Sequence, residues 1–207
     1  MADDLFNEDE RDVLGETVNV AMGKAGAKLA DAFSGFVQLR VPELRSLSAA
    51  DFFQVRARLA ETYERISVIQ QEFFGELAGS IAVIYGPASY AALRDVLGFD
   101  DRDGDSRQQR EELLLELGNA LASTCVLEIA ELLELRTGLR APQMVTFDCP
   151  TPEASWNPMG LNQPWEGQTL QIDIVFFLEA NEVPFELMIT VLPDRLPVVK
   201  QALAKRL

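Results

Sequence analysis

Histidine is absent from the 207 residues. Without it the chain has no side chain that ordinarily titrates near neutrality, no Ser-His or Cys-His nucleophile pair, and none of the usual zinc ligand sets. Cysteine occurs only as Cys125 and Cys149, too few for a disulfide framework or a four-cysteine metal site. Cys125 falls on the apolar side of a predicted helix, where a small core residue is the expected role. Positive charge is scarce: 18 Lys and Arg stand against 33 Asp and Glu, a net −15. Such a surface repels phosphates, so nucleic acid is not an expected partner. A basic partner surface or plain solubility accounts for the charge. The start, MADDLFNEDE, lacks the apolar run of a signal peptide. No apolar stretch is expected to be long enough to span a bilayer. A cytoplasmic protein without membrane association is the reading.

What is present is an ordinary globular composition, 48% apolar and 25% charged, sufficient for a real core. A helix is predicted over 10–33, with Asn7 and Glu10 spaced as a capping box and acidic residues in the first turn. It stops at Ser34-Gly35. FVQLRVP reads as a short strand ended by Pro42. Residues 48–61 read as a helix capped by Ser48. Strands are predicted at 65–74 and 77–86, joined near Gly75, and a helix at 87–98. The polar stretch 99–108 holds Asp101, Asp103 and Asp105. Gly104 is misplaced for a calcium loop, so a solvated linker is expected. Ser106 and Gln109 then cap a helix over about 107–136. LRAP reads as a short strand, and 143–168 as a long irregular stretch with four prolines and both tryptophans, Trp156 and Trp165. That stretch reads as a partly ordered surface loop or as a partner site. Strands follow at 170–179 and 183–192, and LPVVKQALAKRL closes the chain as a helix.

The order helix, short strand, variable segment, two strands, helix occurs twice. Offset by 100 residues, Leu14, Glu16, Asn19, Ala30, Leu39, Arg40 and Pro42 recur as Leu114, Glu116, Asn119, Ala130, Leu139, Arg140 and Pro142. Asp12 becomes Glu112. At about 100° per residue, Leu14, Val18, Ala21, Met22, Ala25 and Leu29 form one buried stripe. Leu114, Gly118, Leu121, Ala122, Cys125 and Ile129 repeat it. Glu16 and Asn19, three residues apart, are neighbours on another side. Asp12 and Gly23 flank them, and Gly26, Ala27 and Ala30 continue that side. Glycine and asparagine are poor helix formers, glycine by about 1 kcal/mol relative to alanine. Two explanations stand: a face kept low for a docking protein, or glycines packed against a neighbouring strand of the same chain.

The spacing Asp12-x3-Glu16-x2-Asn19-x22-Pro42 resembles the signature of the CheC/CheX/FliY family of bacterial chemotaxis phosphatases. Glu116, Asn119 and Pro142 match it again with the same 22-residue spacer. ETVNVAMGKA resembles the family's E-x2-N-x3-G-x-A run. The second copy departs from it, with Glu112 for the Asp or Ser and Ser123 in place of Gly23. Two copies in one chain resemble CheC rather than CheX, whose single-motif chain dimerises. The extra C-terminal domain and N-terminal peptide of FliY are not expected here.

The resemblance implies an α+β fold: a mainly antiparallel sheet of about six strands, two long helices on one face, and a pseudo-two-fold axis. The chain would be one domain of two repeats, about 7–98 and 106–207, and a monomer. It implies hydrolysis of the aspartyl phosphate of the response regulator CheY. Asn19 and Asn119 would orient the attacking water, and Glu16 and Glu116 would pair with the receiver's lysine. Asp12, Gly23 and Glu112 would assist docking, and Pro42 and Pro142 would be structural. The first copy, the fuller match, is expected to dominate. No cofactor of its own is implied; Mg²⁺ would sit on the receiver. The deamidase CheD is a further candidate partner, for instance through the tryptophan stretch. The alternative is a non-catalytic module binding CheY or CheD, akin to the middle domain of the flagellar switch protein FliM, which lacks the Glu/Asn pairs.

Overall fold

The computed structural model describes residues 5–33, 37–40, 42–48, 50–97, 106–151, 167–178 and 184–207. Residues 98–105, with Asp101, Asp103 and Asp105 of the polar stretch 99–108, and the segment with Trp156 and Trp165 lie outside them. The first half contributes α1 (Glu8–Phe33), β1 (Val37–Leu39), β2 (Glu43–Ser48), α2 (Phe52–Thr62), β3 (Arg65–Gly75), β4 (Gly79–Tyr85) and α3 (Ser89–Leu97). The second contributes α4 (Arg107–Leu132), β5 (Thr137–Leu139), β6 (Gln143–Pro150), β7 (Gln168–Leu178), β8 (Pro184–Val191) and α5 (Leu196–Ala204).

Both long helices start where their sequences direct. Glu10 N donates to Asn7 Oδ1 at 2.8 Å, and Asn7 N donates to Glu10 Oε2 at 2.9 Å. Ser106 and Gln109 make the same reciprocal pair before α4. The end of α4 comes earlier than the expected 136, because Glu134 takes a left-handed φ of 55°. Residue 48 ends a strand instead of starting a helix. Ser48 donates its N–H and its hydroxyl to Asp51, at 2.8 and 2.6 Å, and α2 begins at Phe52.

Among the described residues all strand pairs are antiparallel, and the sheet has eight strands rather than about six. Its path is β1-β7-β8-β4-β3-β5, with β2 also on β7 and β6 also on β3. Each edge is thus two short strands laid along one long one. β1 pairs Val37–Leu39 with Phe176–Leu178, and β2 pairs Glu43–Ser48 with Gln168–Asp173. On the other edge β5 pairs with Phe73–Gly75 and β6 with Arg65–Gln70. The strands missed from sequence are β2 and β6. All but one of the β2 residues are half-buried, with no clean alternation. β6 pairs through two register shifts, and Asp148 within it has φ 44°, so the period-two pattern is broken.

The sheet is covered on both faces. Leu14, Val18 and Met22 of α1 and Leu114, Leu121 and Cys125 of α4 share one core with Ile69, Phe73, Ile81 and Ile174. α5 adds Val199 and Leu203 there. The two predicted helix stripes are buried as expected, and burial pushes the Cys125 thiol far up. On the opposite face Val55 and Leu59 of α2 pack with Ile66, Val68, Ile84 and Met188. β4 is buried along its whole length, which is why it reads as a continuous apolar run. Contrary to the sequence expectation, α4 does hold a window long and apolar enough to cross a membrane. Most of that window is buried inside the protein, against the sheet and α1.

Candidate functional site

Glu16 and Asn19 of α1 and Glu116 and Asn119 of α4 are all exposed, as are Asp12, Gly23 and Glu112. The helix brings each pair to the surface: the stripe at Leu14 and Val18, or Leu114 and Gly118, is turned to the sheet, and the i, i+3 pair lies on another side. Among the described residues, Glu16, Asn19 and Glu116 have no side-chain hydrogen bond or ion pair. Glu112 accepts from Gln108 Nε2 at 2.9 Å. The two helices touch, and Lys28 of α1 pairs with Glu128 of α4, whose carboxylate is buried. This contact holds Lys28 as a cation and raises its pKa.

The small residues divide between the two explanations. Among the described residues a Cβ added at Gly23 meets nothing within 4 Å, so no described strand demands a glycine there. Gly26 is buried and Ala30 half-buried, so they do not extend the exposed face as the sequence led one to expect. In α4, Ser123 Oγ donates back to the Asn119 carbonyl at 2.6 Å, which spares that hydroxyl a partner elsewhere. Gly118 sits at a close approach to the sheet. A Cβ there falls 2.8 Å from Ile69 Cδ1 and 3.2 Å from Tyr85 Oη. The corresponding residue of α1 is Val18, fully buried.

Gln71 of β3, missed in the sequence reading, reaches the second pair. It is 3% exposed, and it lies on the sheet face that carries Ile69 and Phe73. Its Nε2 donates to Asn119 Oδ1 at 2.9 Å and to the Arg140 carbonyl at 2.8 Å. The signal in RISVIQQEFFG was weak: Gln71 stands between Ile69 and Phe73, on a face that also carries Arg65 and Ser67. Arg140, on the strand end beside this site, lies over the Phe74 ring and pairs with Glu72. Arg40 lies likewise over Phe177.

Chemically, each exposed pair offers a carboxylate acceptor and an amide with both donor and acceptor. Neither pair contains a hydroxyl or thiol nucleophile. Among the described residues no three Cys, Asp or Glu side chains converge as a metal cage. Such a pair can position water and grip a cation on a docked surface.

No family model matches the sequence. The chain is similar to the CheY-P phosphatase CheC of Bacillus subtilis (strain 168), 26% identical over 202 residues and covering 92% of each chain. In structure it is similar to Thermotoga maritima FliY, with a TM-score of 0.72, 17% identity, and coverage of 98% of this chain and 99% of that one. The FliM middle domain of H. pylori has a TM-score of 0.62 at 7% identity, covering 95% and 99%. The fold is therefore that of the CheC-like proteins, and the sequence relative points to the CheC/CheX/FliY chemotaxis phosphatase superfamily. These relatives do not separate a CheC subtype from FliY.

Proposed function

We propose that this chain hydrolyses the aspartyl phosphate of CheY or a similar receiver domain, as a cytoplasmic two-site enzyme most like CheC. The observation that carries the reading is the recurrence of an exposed, three-spaced Glu/Asn pair on two equivalent helices. Water attacks phosphorus in line, the bond from phosphorus to the acyl oxygen breaks, and the products are the receiver's free aspartate and inorganic phosphate. An acyl phosphate needs positioning more than a strong base, so a chain without histidine is equal to the task. Asn19 and Asn119 hold the attacking water. Glu16 and Glu116 pair with the receiver's lysine and fix the docked geometry, and Asp12, Gly23 and Glu112 border the contact. The receiver brings the Mg²⁺ that neutralises phosphate charge.

We also infer that the chain is one duplicated domain, with repeats of about 7–98 and 106–207 related by a pseudo-two-fold axis. The pairing supports this: Leu39 stands opposite Phe176 and Leu139 opposite Phe73. Arg40 N donates to the Val175 carbonyl, and Arg140 N to the Glu72 carbonyl.

The test is the lifetime of phosphorylated CheY with the wild type and with the Asn19→Ala/Asn119→Ala variant. The double variant is expected to lose about a hundredfold in rate; full activity would overturn the proposal. The alternative, a module that binds CheY or CheD without turnover, draws on the likeness to the FliM middle domain. Binding with an unchanged phosphate lifetime would favour it.

A further inference from the structure

We infer that Gln71 is a positioning residue for Asn119, and that it makes the two sites unequal, with the second preorganised. The inference rests on the phosphatase reading for its kinetic consequence only; its structural content stands apart.

The Arg140 carbonyl can only accept. The end of the Gln71 amide that faces it is therefore the NH₂ end. The same NH₂ faces Asn119, so Asn119 must present its oxygen to the sheet. The Asn119 amide is thereby held in one of its two orientations, with Nδ2 turned away from the sheet. Its Oδ1 keeps a second lone pair, so donor and acceptor both remain for a water.

The first site lacks this device. The register makes Ile174 the counterpart of Gln71: each lies two residues before the phenylalanine, Phe176 or Phe73, that pairs with Leu39 or Leu139. Ile174 is fully buried and its side chain has no donor. Gly118 completes the difference. With no Cβ, α4 seats against Ile69 of β3, two residues from Gln71, whereas α1 carries Val18 in that place. Asn19 accordingly has no side-chain hydrogen bond among the described residues, and both orientations of its amide are open. A side chain frozen in a productive pose gives the larger rate. The second site is then the faster one, although its motif is the poorer match.

Two measurements test this on the full chain. The first is nuclear magnetic resonance relaxation of the Asn side-chain NH₂ groups in the wild type. Asn119 is expected to be rigid and Asn19 mobile, and Gln71→Met is expected to bring Asn119 to the mobility of Asn19. The second uses the Asn19→Ala background, in which only the second site works. There Gln71→Met should lower kcat about tenfold with KM unchanged. A merely structural role would move unfolding without this split. Equal mobility of the two amides in the wild type overturns the inference even if Gln71→Met does not fold. So does an unchanged kcat in the folded variant. Full activity of the Asn19→Ala/Asn119→Ala variant would instead overturn the phosphatase reading, and the relaxation result would still decide the role of Gln71.

Discussion

At Gly23 the helix gives up stability that its own surroundings do not ask for. Nothing lies within 4 Å of an added Cβ, so Gly23→Ala is expected to stabilise the protein by about 1 kcal/mol in urea unfolding. A large side chain there should be tolerated by the fold but not by a docked receiver. Gly23→Trp is expected to raise KM at the first site with unfolding little changed. A second residue-scale expectation concerns Asp173, which lies under α2 with Arg45 at 3.4 Å and Gln171 donating to it. Burial outweighs these partners and raises its pKa above the ordinary 3.8. A raised carboxyl favours folding while protonated, and that contribution is lost as pH rises through the folded value. Asp173→Asn should therefore stabilise the protein at pH 7 and flatten the decline of stability above about pH 4. Denaturant midpoints across pH would show it. Single residues were unevenly legible. Glu16, Asn19 and their copies stood out because helical spacing places them without tertiary information. Gln71 did not, because its role comes from a helix 48 positions later in the chain.

Helices and edge strands carry their instructions differently. The caps of α1 and α4 are local bonds over three residues, so the sequence specifies them directly. β2 and β6 are held by what they lie against. Both are edge strands of mostly half-buried residues, and β6 is bulged, which leaves no periodic signature. The seat of α4 on β3 is another tertiary property. Gly118→Ala would drive a methyl to 2.8 Å from the buried Ile69. It is expected to cost about 1–3 kcal/mol despite the better helix propensity, in contrast to the gain at Gly23. Urea unfolding of the two variants side by side checks the reversal of sign.

Across the whole molecule, the recurrence of residues at an offset of 100 was visible because the motif helices and the short strands keep it. The long strands do not: Phe73 in β3 answers to Phe176 in β7, an offset of 103. Nor does the sequence state that the first half's short strands lie on the second half's long strand. That exchange makes the halves interdependent. Expressed apart, residues 1–98 and 106–207 are each expected to lack cooperative unfolding by circular dichroism. Mixed, they are expected to recover it.

The exchange of edge strands also has a consequence in time. β3 leaves the ribosome with β4 to pair on one side and nothing on the other, since β5 begins only at Thr137. At roughly 5–20 residues per second, its open edge waits about 3–12 s for the strand that closes it. During that wait the nascent chain presents an unpaired β edge beside apolar surface that α4 has yet to cover. Such a surface is open to chaperones and to neighbouring nascent chains alike. A fold whose two halves look self-sufficient on paper is thus finished only when translation of the second half is well advanced.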